Sequence, residues 1–323
     1  MSRVWALVGL LAIATMAPHT GAAQKQKMTP EELVKLHLQA LTAGVPVPRP
    51  QGREVKGEVT AETPARAAGQ LPGKFQLSSG ATGSTFTMRF DNERYEGETF
   101  KAEGGKVDVA IAEPRTGARS AVGNFVARNT VIVGEGLIGG ALNARWPLLD
   151  IAGRQPRLGY DGLKELGGRE LHRLRYRAKD KQGSLEVQLY FDPATYRHVA
   201  SVYSSSQAQA LGGTPESSSQ QADMYFRVEE RFGRFDSVAG MTLPRTWSLR
   251  FERAGNTANE WKYDLVVQTI EVTGPPALDS LVSAKRVLTL LKGEGRREKG
   301  EGKRENRFLS PAFSLLPSAL TPN

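Results

Sequence analysis

Apolar and polar residues alternate along several stretches of the chain between residues 86 and 251. A period of two predicts β-strands with one apolar and one polar face. Because strands of a parallel α/β sheet are apolar throughout, this alternation favours an antiparallel sheet. The alternating apolar positions are Phe86, Met88 and Phe90; Val107, Val109 and Ile111; Leu185, Val187, Leu189 and Phe191; and Leu243, Trp247, Leu249 and Phe251. Between Gly52 and Thr273 we expect about eleven strands.

Turn-forming residues separate these strand-like stretches. The pairs Gly104-Gly105, Gly167-Gly168 and Ala239-Gly240 suit two-residue hairpin connections. The sequence Asp192-Pro193-Ala194-Thr195 suits a type I turn with proline at its second position. Residues 206–222 are rich in Gly, Ser and Gln, which predicts a long hairpin loop.

Three stretches depart from the period of two and predict helices. The first begins with Thr29 as N-cap, Pro30 at the first helical position and Glu32 completing a capping box, and it stops near Gly44. Residues 116–130 predict a second helix. Residues 135–151 are strongly apolar but contain two adjacent glycines and a proline, so we expect a short, hinged helical flap there.

The chain divides into three predicted regions. Residues 1–23 have a basic start and a short apolar run that ends in small residues, as in a secretory signal peptide; a buried core helix or a membrane anchor is the alternative. Residues 24–283 predict one large β domain. Residues 284–323 mix Gly, Pro and charge without a period, which predicts a disordered tail. No segment after residue 23 is long and apolar enough to cross a membrane, so we expect a soluble mature chain.

The net charge of +9 is concentrated outside the predicted β domain. The tail holds nine Lys and Arg against four Glu, and Arg3 lies in the predicted signal peptide. The domain is therefore close to neutral, which argues against nucleic-acid binding. A basic strip that docks on an anionic membrane surface is an alternative reading of the tail, although its glutamates weaken the positive field.

Cysteine is absent from the chain. This excludes disulfides, thiol nucleophiles and Cys-based metal sites. It also excludes the lipid-bearing cysteine of a lipoprotein. We therefore expect the mature protein to be free in an extracytoplasmic space such as a periplasm.

The sequence resembles the LolA/LolB-like superfamily of periplasmic lipoprotein-sorting factors. The resemblance spans roughly residues 28–279 and is carried mainly by YDGLKELGGRELHRLRYRAKD, from Tyr160, and LEVQLYFDPATYRHVAS, from Leu185. It implies a mainly β fold: a curved antiparallel sheet forming an incomplete β-barrel, covered by an N-terminal helix and a mid-chain helical lid. It also implies a non-enzymatic carrier of acyl chains.

If this resemblance holds, an apolar pocket for acyl chains lies between the sheet and the lid. The expected wall residues are Phe86, Met88, Phe90, Leu189, Phe191, Trp247, Leu249 and Phe251. The expected lid residues are Leu137, Ile138, Leu142 and Trp146. The alternative is that these residues form an ordinary filled core.

The sequence offers little support for an enzyme, and we expect no catalytic residue, metal or cofactor. His37, His172 and His198 lack a second ligand at metal-binding spacing, and we expect them at boundary or exposed positions. Residues 134–139 match GxGxxG by letter but lack the strand-to-helix context of a phosphate-binding loop. Glu230 shares the parity of apolar neighbours on its strand, so its carboxylate should point inward. It would then pair with an arginine, the favoured case, or face a ligand headgroup.

Two hypotheses of function follow. The first is a periplasmic carrier that binds the acyl chains of a lipid or lipoprotein. The second is an interaction module of the cell envelope, a sensor or scaffold that uses the same fold to bind a membrane protein. In both cases we expect a monomer that does not bind nucleic acid.

Overall fold

The computed structural model describes residues 28–44, 51–63, 69–93, 95–111, 119–179, 183–207, 224–253 and 256–273. All of these described residues belong to one compact unit. The predicted signal peptide, the predicted tail and most of the Ser/Gln-rich loop lie outside the described residues.

One antiparallel sheet of twelve strands dominates the described part of the chain, which confirms the predicted mainly β class. Its strands are β1 (Gly52–Glu62), β2 (Gln70–Gly80), β3 (Gly83–Phe90), β4 (Gly97–Glu103), β5 (Lys106–Ile111), β6 (Arg157–Leu166), β7 (Arg169–Arg177), β8 (Glu186–Phe191), β9 (His198–Gln207), β10 (Met224–Val238), β11 (Met241–Arg253) and β12 (Asn256–Thr273). The order across the sheet is β5-β4-β3-β2-β1-β12-β11-β10-β9-β8-β7-β6. The sheet is open because β5 and β6 form its two edges.

The helices lie between β-strands or before them in the sequence. They are α1 (Pro30–Leu41), α2 (Ala121–Arg128), α3 (Val131–Gly134) and α4 (Ile151–Arg154), with 3₁₀ turns at Gly140–Leu142 and Pro147–Asp150. The predicted cap of α1 is present, since the Thr29 hydroxyl accepts a hydrogen bond from the amide of Glu32 at 3.1 Å. The second predicted helix is shorter than expected and begins after Ser120.

The three predicted two-residue hairpin connections are confirmed. In each pair both residues have positive φ: 56° and 80° at Gly104-Gly105, 59° and 76° at Gly167-Gly168, and 48° and 77° at Ala239-Gly240. Such turns match the right-handed twist of the strands that they join. The register of each hairpin is therefore fixed locally by the sequence.

Contacts between distant strands show that the sheet is strongly curved. The eight-residue helix α2, about 12 Å long, contacts both β5 and β10. In the sheet order these strands are seven positions apart, which would be about 34 Å in a flat sheet. The rings of Phe86 on β3 and Trp247 on β11 also lie only 4.7 Å apart. An incomplete barrel that wraps around its helices accounts for these contacts.

The predicted alternation corresponds to burial on the face that the helices cover. Along β3 the residues Phe86, Met88 and Phe90 are buried, and the intervening residues are more exposed. Tyr190 on β8 is an exception, because its position alternates with the apolar residues Leu189 and Phe191 and predicts the polar face, yet it is only 4% exposed. It packs in a small separate cluster on the opposite face with Leu166, Leu171, Ala200 and Val202.

Candidate functional site: the covered face of the sheet

The cover segment, residues 135–151, crosses the concave face largely without regular helix. Its predicted interruptions are confirmed: Gly139 and Gly140 have φ values of 80° and 50°. A Cβ at Gly139 would lie 2.9 Å from the side chain of Leu77, and one at Gly140 would lie 2.8 Å from the ring of His198. The two glycines therefore allow the backbone of the cover segment to approach the sheet closely.

The twelve residues predicted to line a pocket all lie in one buried hydrophobic cluster. None of them is more than 6% exposed. The expected lid residues Leu137, Ile138, Leu142 and Trp146 pack into the same cluster as the expected wall residues. In this arrangement the cover segment occupies the concave face, so an acyl chain could reach these residues only if the cover segment moved.

A buried carboxylate ties the cover segment to β10. Glu230 is fully buried, and it accepts hydrogen bonds from the amide of Gly139 at 2.9 Å, from the indole N–H of Trp247 at 2.9 Å and from the hydroxyl of Tyr203 at 2.6 Å. The Tyr203 hydroxyl also lies 3.2 Å from the carbonyl oxygen of Leu137. The inward orientation was predicted correctly, but the favoured arginine partner was wrong. The groups that donate hydrogen bonds to the carboxylate are neutral instead.

Burial is the main cause of the shifted pKa of this carboxylate. Removal from water raises the pKa of Glu230 to about 7, and the hydrogen bonds from Tyr203, Gly139 and Trp247 act in the opposite direction. The pKa of Tyr203 is raised well above its ordinary value by burial and by the adjacent carboxylate. Near neutral pH the contact between the cover segment and β10 is therefore sensitive to protonation.

A buried cation holds the next part of the cover segment. Arg53 on β1 is 2% exposed, and its guanidinium donates to the carbonyl oxygen of Ala141 and approaches the sulfur of Met241 at 3.2 Å. Burial lowers the pKa of Arg53 to about 10, so the group stays protonated at neutral pH. Beside it, Ser79 accepts a hydrogen bond from the amide of Ala144 at 2.8 Å.

Two histidines lie beneath the end of the cover segment. His37 on α1 donates from Nδ1 to the carbonyl oxygen of Tyr196 at 3.2 Å, and its Nε2 accepts from the indole N–H of Trp146 at 3.3 Å. His198 on β9 lies against the ring of Trp146, with centroids 4.7 Å apart. Burial lowers the pKa of His37 to about 4 and the pKa of His198 well below its usual value. Both are neutral members of the core.

The predicted boundary or exposed positions of the three histidines were wrong. His37 and His198 are 2% and 3% exposed, and His172 is 9% exposed with its Nδ1 hydrogen-bonded to Tyr160 at 2.7 Å. The physical reason differs among them. His37 is hydrogen-bonded by Tyr196 and Trp146 from distant elements, and His172 by Tyr160 on the neighbouring strand, which offsets the cost of burying the ring. His198 bonds through Nε2 to Ser201 on its own strand at 3.0 Å, and its ring packs against Trp146, Phe191 and Phe232. Among the described residues, no group of three His, Asp or Glu side chains is placed to hold a metal ion.

A second buried carboxylate fixes the start of α2. Glu98 on β4 is fully buried and accepts hydrogen bonds from the amide and the hydroxyl of Ser120, both at 2.6 Å, and from the hydroxyl of Tyr95 at 3.2 Å. Burial raises the pKa of Glu98, and the bonds from Ser120 and Tyr95 oppose that rise. A Cβ at Gly123 would lie 2.1 Å from the carboxylate, so this glycine gives the acid its space.

The sequence analysis missed Arg53, Ser79 and Glu98 as residues of this face. A signal for Arg53 was present: in REVKGEVTA it has the same parity as Val55 and Val59, which are buried. An arginine at an apolar position of an alternating strand predicts an inward guanidinium. Ser79 and Glu98 likewise sit at buried positions of their own strands.

No protein-family profile matches the chain, and no curated protein matches it. Solved structures with a similar fold include a LolA superfamily protein from Nitrosomonas europaea, at 12% identity and a TM-score of 0.43, covering 77% of this chain and 96% of that one. An outer membrane lipoprotein-sorting protein domain from Vibrio parahaemolyticus matches at 12% identity and a TM-score of 0.40, covering 80% and 99% of the two chains. A DUF1329 family protein from Desulfovibrio piger matches at 8% identity and a TM-score of 0.38, covering 75% and 92%.

Within the described ranges, no helix combines the length and apolar composition needed to span a bilayer.

Proposed function

We propose that this chain is a non-enzymatic extracytoplasmic carrier that binds acyl chains of a lipid or lipoprotein between the covered face of its sheet and the cover segment. One observation carries this proposal. The cover segment closes an apolar concave face, and its backbone is held there by side chains of the sheet: Tyr203, Glu230, Arg53 and Ser79. The cover segment is thus a separate layer that individual hydrogen bonds and the packing of its apolar side chains hold on the sheet.

The magnitudes permit such a layer to be displaced. The hydrogen bonds of Tyr203 and Ser79 each stabilise the closed state by about 1 kcal/mol net, and those of the ionisable Glu230 and Arg53 by about 1.5–3 kcal/mol each. Burying an acyl chain is favourable by about 0.8 kcal/mol per CH₂, or about 10 kcal/mol for a long chain. A ligand that gives Leu137, Ile138, Leu142 and Trp146 a new apolar partner therefore outweighs the lost contacts. A cover that competes with the ligand for the same surface also makes binding reversible.

Fluorescence quenching by brominated acyl chains tests the proposal without mutation of the site. Trp146 and Trp247 are at most 1% exposed, so a water-soluble quencher such as iodide should leave them bright. A brominated fatty acid bound beneath the cover segment should quench both. Using a Trp261→Phe background removes the signal of the more exposed tryptophan. Quenching equal to that of free tryptophan in the same lipid dispersion, without saturation, would contradict a carrier.

Native mass spectrometry provides an independent test. The protein purified gently from the cell envelope should carry lipid, and Leu249→Asp should lose that lipid while retaining a cooperative thermal transition. Leu163→Asp is the matched control, because Leu163 is 46% exposed and lies outside the buried cluster. Equal lipid content in both variants would count against the covered face as the binding surface.

The filled concave face favours a second candidate, the envelope interaction module. Because the predicted pocket residues are all buried by the chain itself, the fold could present its outer surface to a protein partner without an interior ligand. In that case the protein would be free of lipid, the brominated acyl chain would not quench Trp146 or Trp247, and a membrane protein would be captured from envelope extracts.

A further inference from the structure

A row of polar side chains crosses one end of the otherwise apolar covered face. Ser84 on β3 pairs in register with Ser79 on β2, and Ser79 pairs with Arg53 on β1. All three side chains are buried. The next buried row toward the middle of the sheet is apolar, with Phe86 opposite Leu77 and Leu77 opposite Val55 on the same three strands. The face therefore changes from polar to apolar within one pleat.

Two polar atoms in this row are buried without a partner. They are Nε of Arg53 and the hydroxyl oxygen of Ser84, and their residues are 2% and 4% exposed. No described carboxylate forms an ion pair with Arg53, which contacts only a carbonyl oxygen and a thioether. Buried charges in proteins are ordinarily paired, and buried donors are ordinarily satisfied. The guanidinium and the hydroxyl are thus two buried donors without a protein acceptor, and their chemistry suits an anion.

An open cavity adjoins this row. It has a volume of about 330 Å³, and Arg53, Ser79 and Ser84 are among its lining residues. Two carboxylates at the cavity, Glu54 and Glu103, are compensated by Lys56 at 2.9 Å and Lys101 at 2.6 Å. The uncompensated charge at the cavity is therefore the positive charge of Arg53.

We propose that Arg53, Ser79 and Ser84 bind the phosphate headgroup of an anionic amphiphile whose acyl chain lies on the covered face; this inference rests on the proposed carrier function. A phosphate offers acceptor oxygens for the free Nε–H of Arg53 and for the hydroxyl of Ser84. Charge-assisted bonds to a guanidinium are stronger than its bonds to neutral acceptors. The adjoining apolar row, beginning with Phe86, Leu77 and Val55, would accept the first methylenes of the acyl chain.

Calorimetric titration of the full chain tests this with three probes: a lysophosphatidic acid, the monoacylglycerol with the same acyl chain, and inorganic phosphate. We expect the lysophosphatidic acid to bind at least tenfold more tightly than the neutral lipid. Arg53→Gln should reduce that ratio to about one, and Ser84→Ala should reduce it severalfold. Arg157→Gln, at an exposed arginine on β6, and Ser248→Ala, on β11, should leave the ratio unchanged.

Ser84→Ala keeps the test valid if Arg53→Gln fails to fold. Because the Ser84 hydroxyl has no partner in the ligand-free protein, its removal should not lower the thermal midpoint. Equal affinity for both lipids in the wild type would overturn the headgroup site and leave the carrier function standing. Binding of neither lipid would overturn both. If inorganic phosphate bound as tightly as the lysophosphatidic acid, the site would be one for free phosphate, and the assignment of an amphiphile as its ligand would be overturned.

Discussion

The backbone amide of Gly139 donates a hydrogen bond to the carboxylate of Glu230 at 2.9 Å, across 91 positions of sequence. This contact joins the cover segment to β10, which pairs with β11 in the sheet. Because the carboxylate is fully buried, the strength of the contact depends on its protonation state.

Glu230→Gln should change the pH dependence of stability. The pKa of Glu230 rises from 4.5 to about 7 on folding, so the folded state retains a proton that the unfolded state loses. The free energy of unfolding should therefore fall as pH rises from about 4.5 to about 7, by roughly 3 kcal/mol. Urea unfolding at intervals from pH 5 to 8 should show that the free energy of unfolding of the variant, relative to that of the wild type, increases by about this amount. Glu170→Gln, at an exposed position, is the control; parallel curves for Glu230→Gln and wild type would contradict the prediction.

His37→Gln should reduce the loss of stability at acidic pH. Burial lowers the pKa of His37 from 6.5 to about 4, so the unfolded state takes up a proton first as pH falls. The contribution of His37 to the free energy of unfolding is fully present above pH 6.5. It is lost progressively as the pH falls toward 4, by up to about 3 kcal/mol. In His37→Gln that acid loss should be smaller, measured as the difference between urea midpoints at pH 7 and pH 5. An unchanged difference would show that His37 does not carry it.

Gly139→Ala should destabilise the protein more than Gly162→Ala. Both glycines have left-handed backbone, with φ values of 80° and 81°, so both variants pay a backbone cost of about 1 kcal/mol. A Cβ at Gly139 would also meet Leu77 at 2.9 Å, whereas a Cβ at Gly162 would have nothing within 4 Å. We expect an additional loss of about 1–3 kcal/mol at Gly139. Urea unfolding measures the loss of stability in each variant. Equal losses would show that the cover segment shifts to accommodate the added methyl group without a further cost.

Ser120→Ala should cost more than Thr29→Ala, although both remove an N-cap hydroxyl. Thr29 caps α1 at an exposed site through the amide of Glu32, and its loss should cost about 1 kcal/mol. Ser120 caps α2 through the amide of Gly123 at 2.9 Å and also donates to the buried carboxylate of Glu98 at 2.6 Å. Losing both bonds should cost about 2–4 kcal/mol. Thermal unfolding compares the two variants, and equal midpoints would contradict a structural role for Glu98.

Local patterns were sufficient for the strands and their connections. The parity of Phe86, Met88 and Phe90 predicted their buried face, and Gly104-Gly105 and Gly167-Gly168 predicted tight hairpins. These features depend on residues two or fewer positions apart. Period and turn geometry act over that range, so the sequence contains the information directly.

The sequence by itself determined an antiparallel β domain, a capped first helix, which apolar residues turn toward the covered face, and the inward carboxylate of Glu230. Only the tertiary structure decided what those residues meet. Sheet curvature brings Trp247 to Phe86, and the cover segment brings Gly139 to Glu230 and Trp146 to His37. Buried polar groups are ordinarily paired, and Glu230–Gly139 and Trp146–His37 are paired across 91 and 109 residues of the chain, beyond the reach of any local pattern.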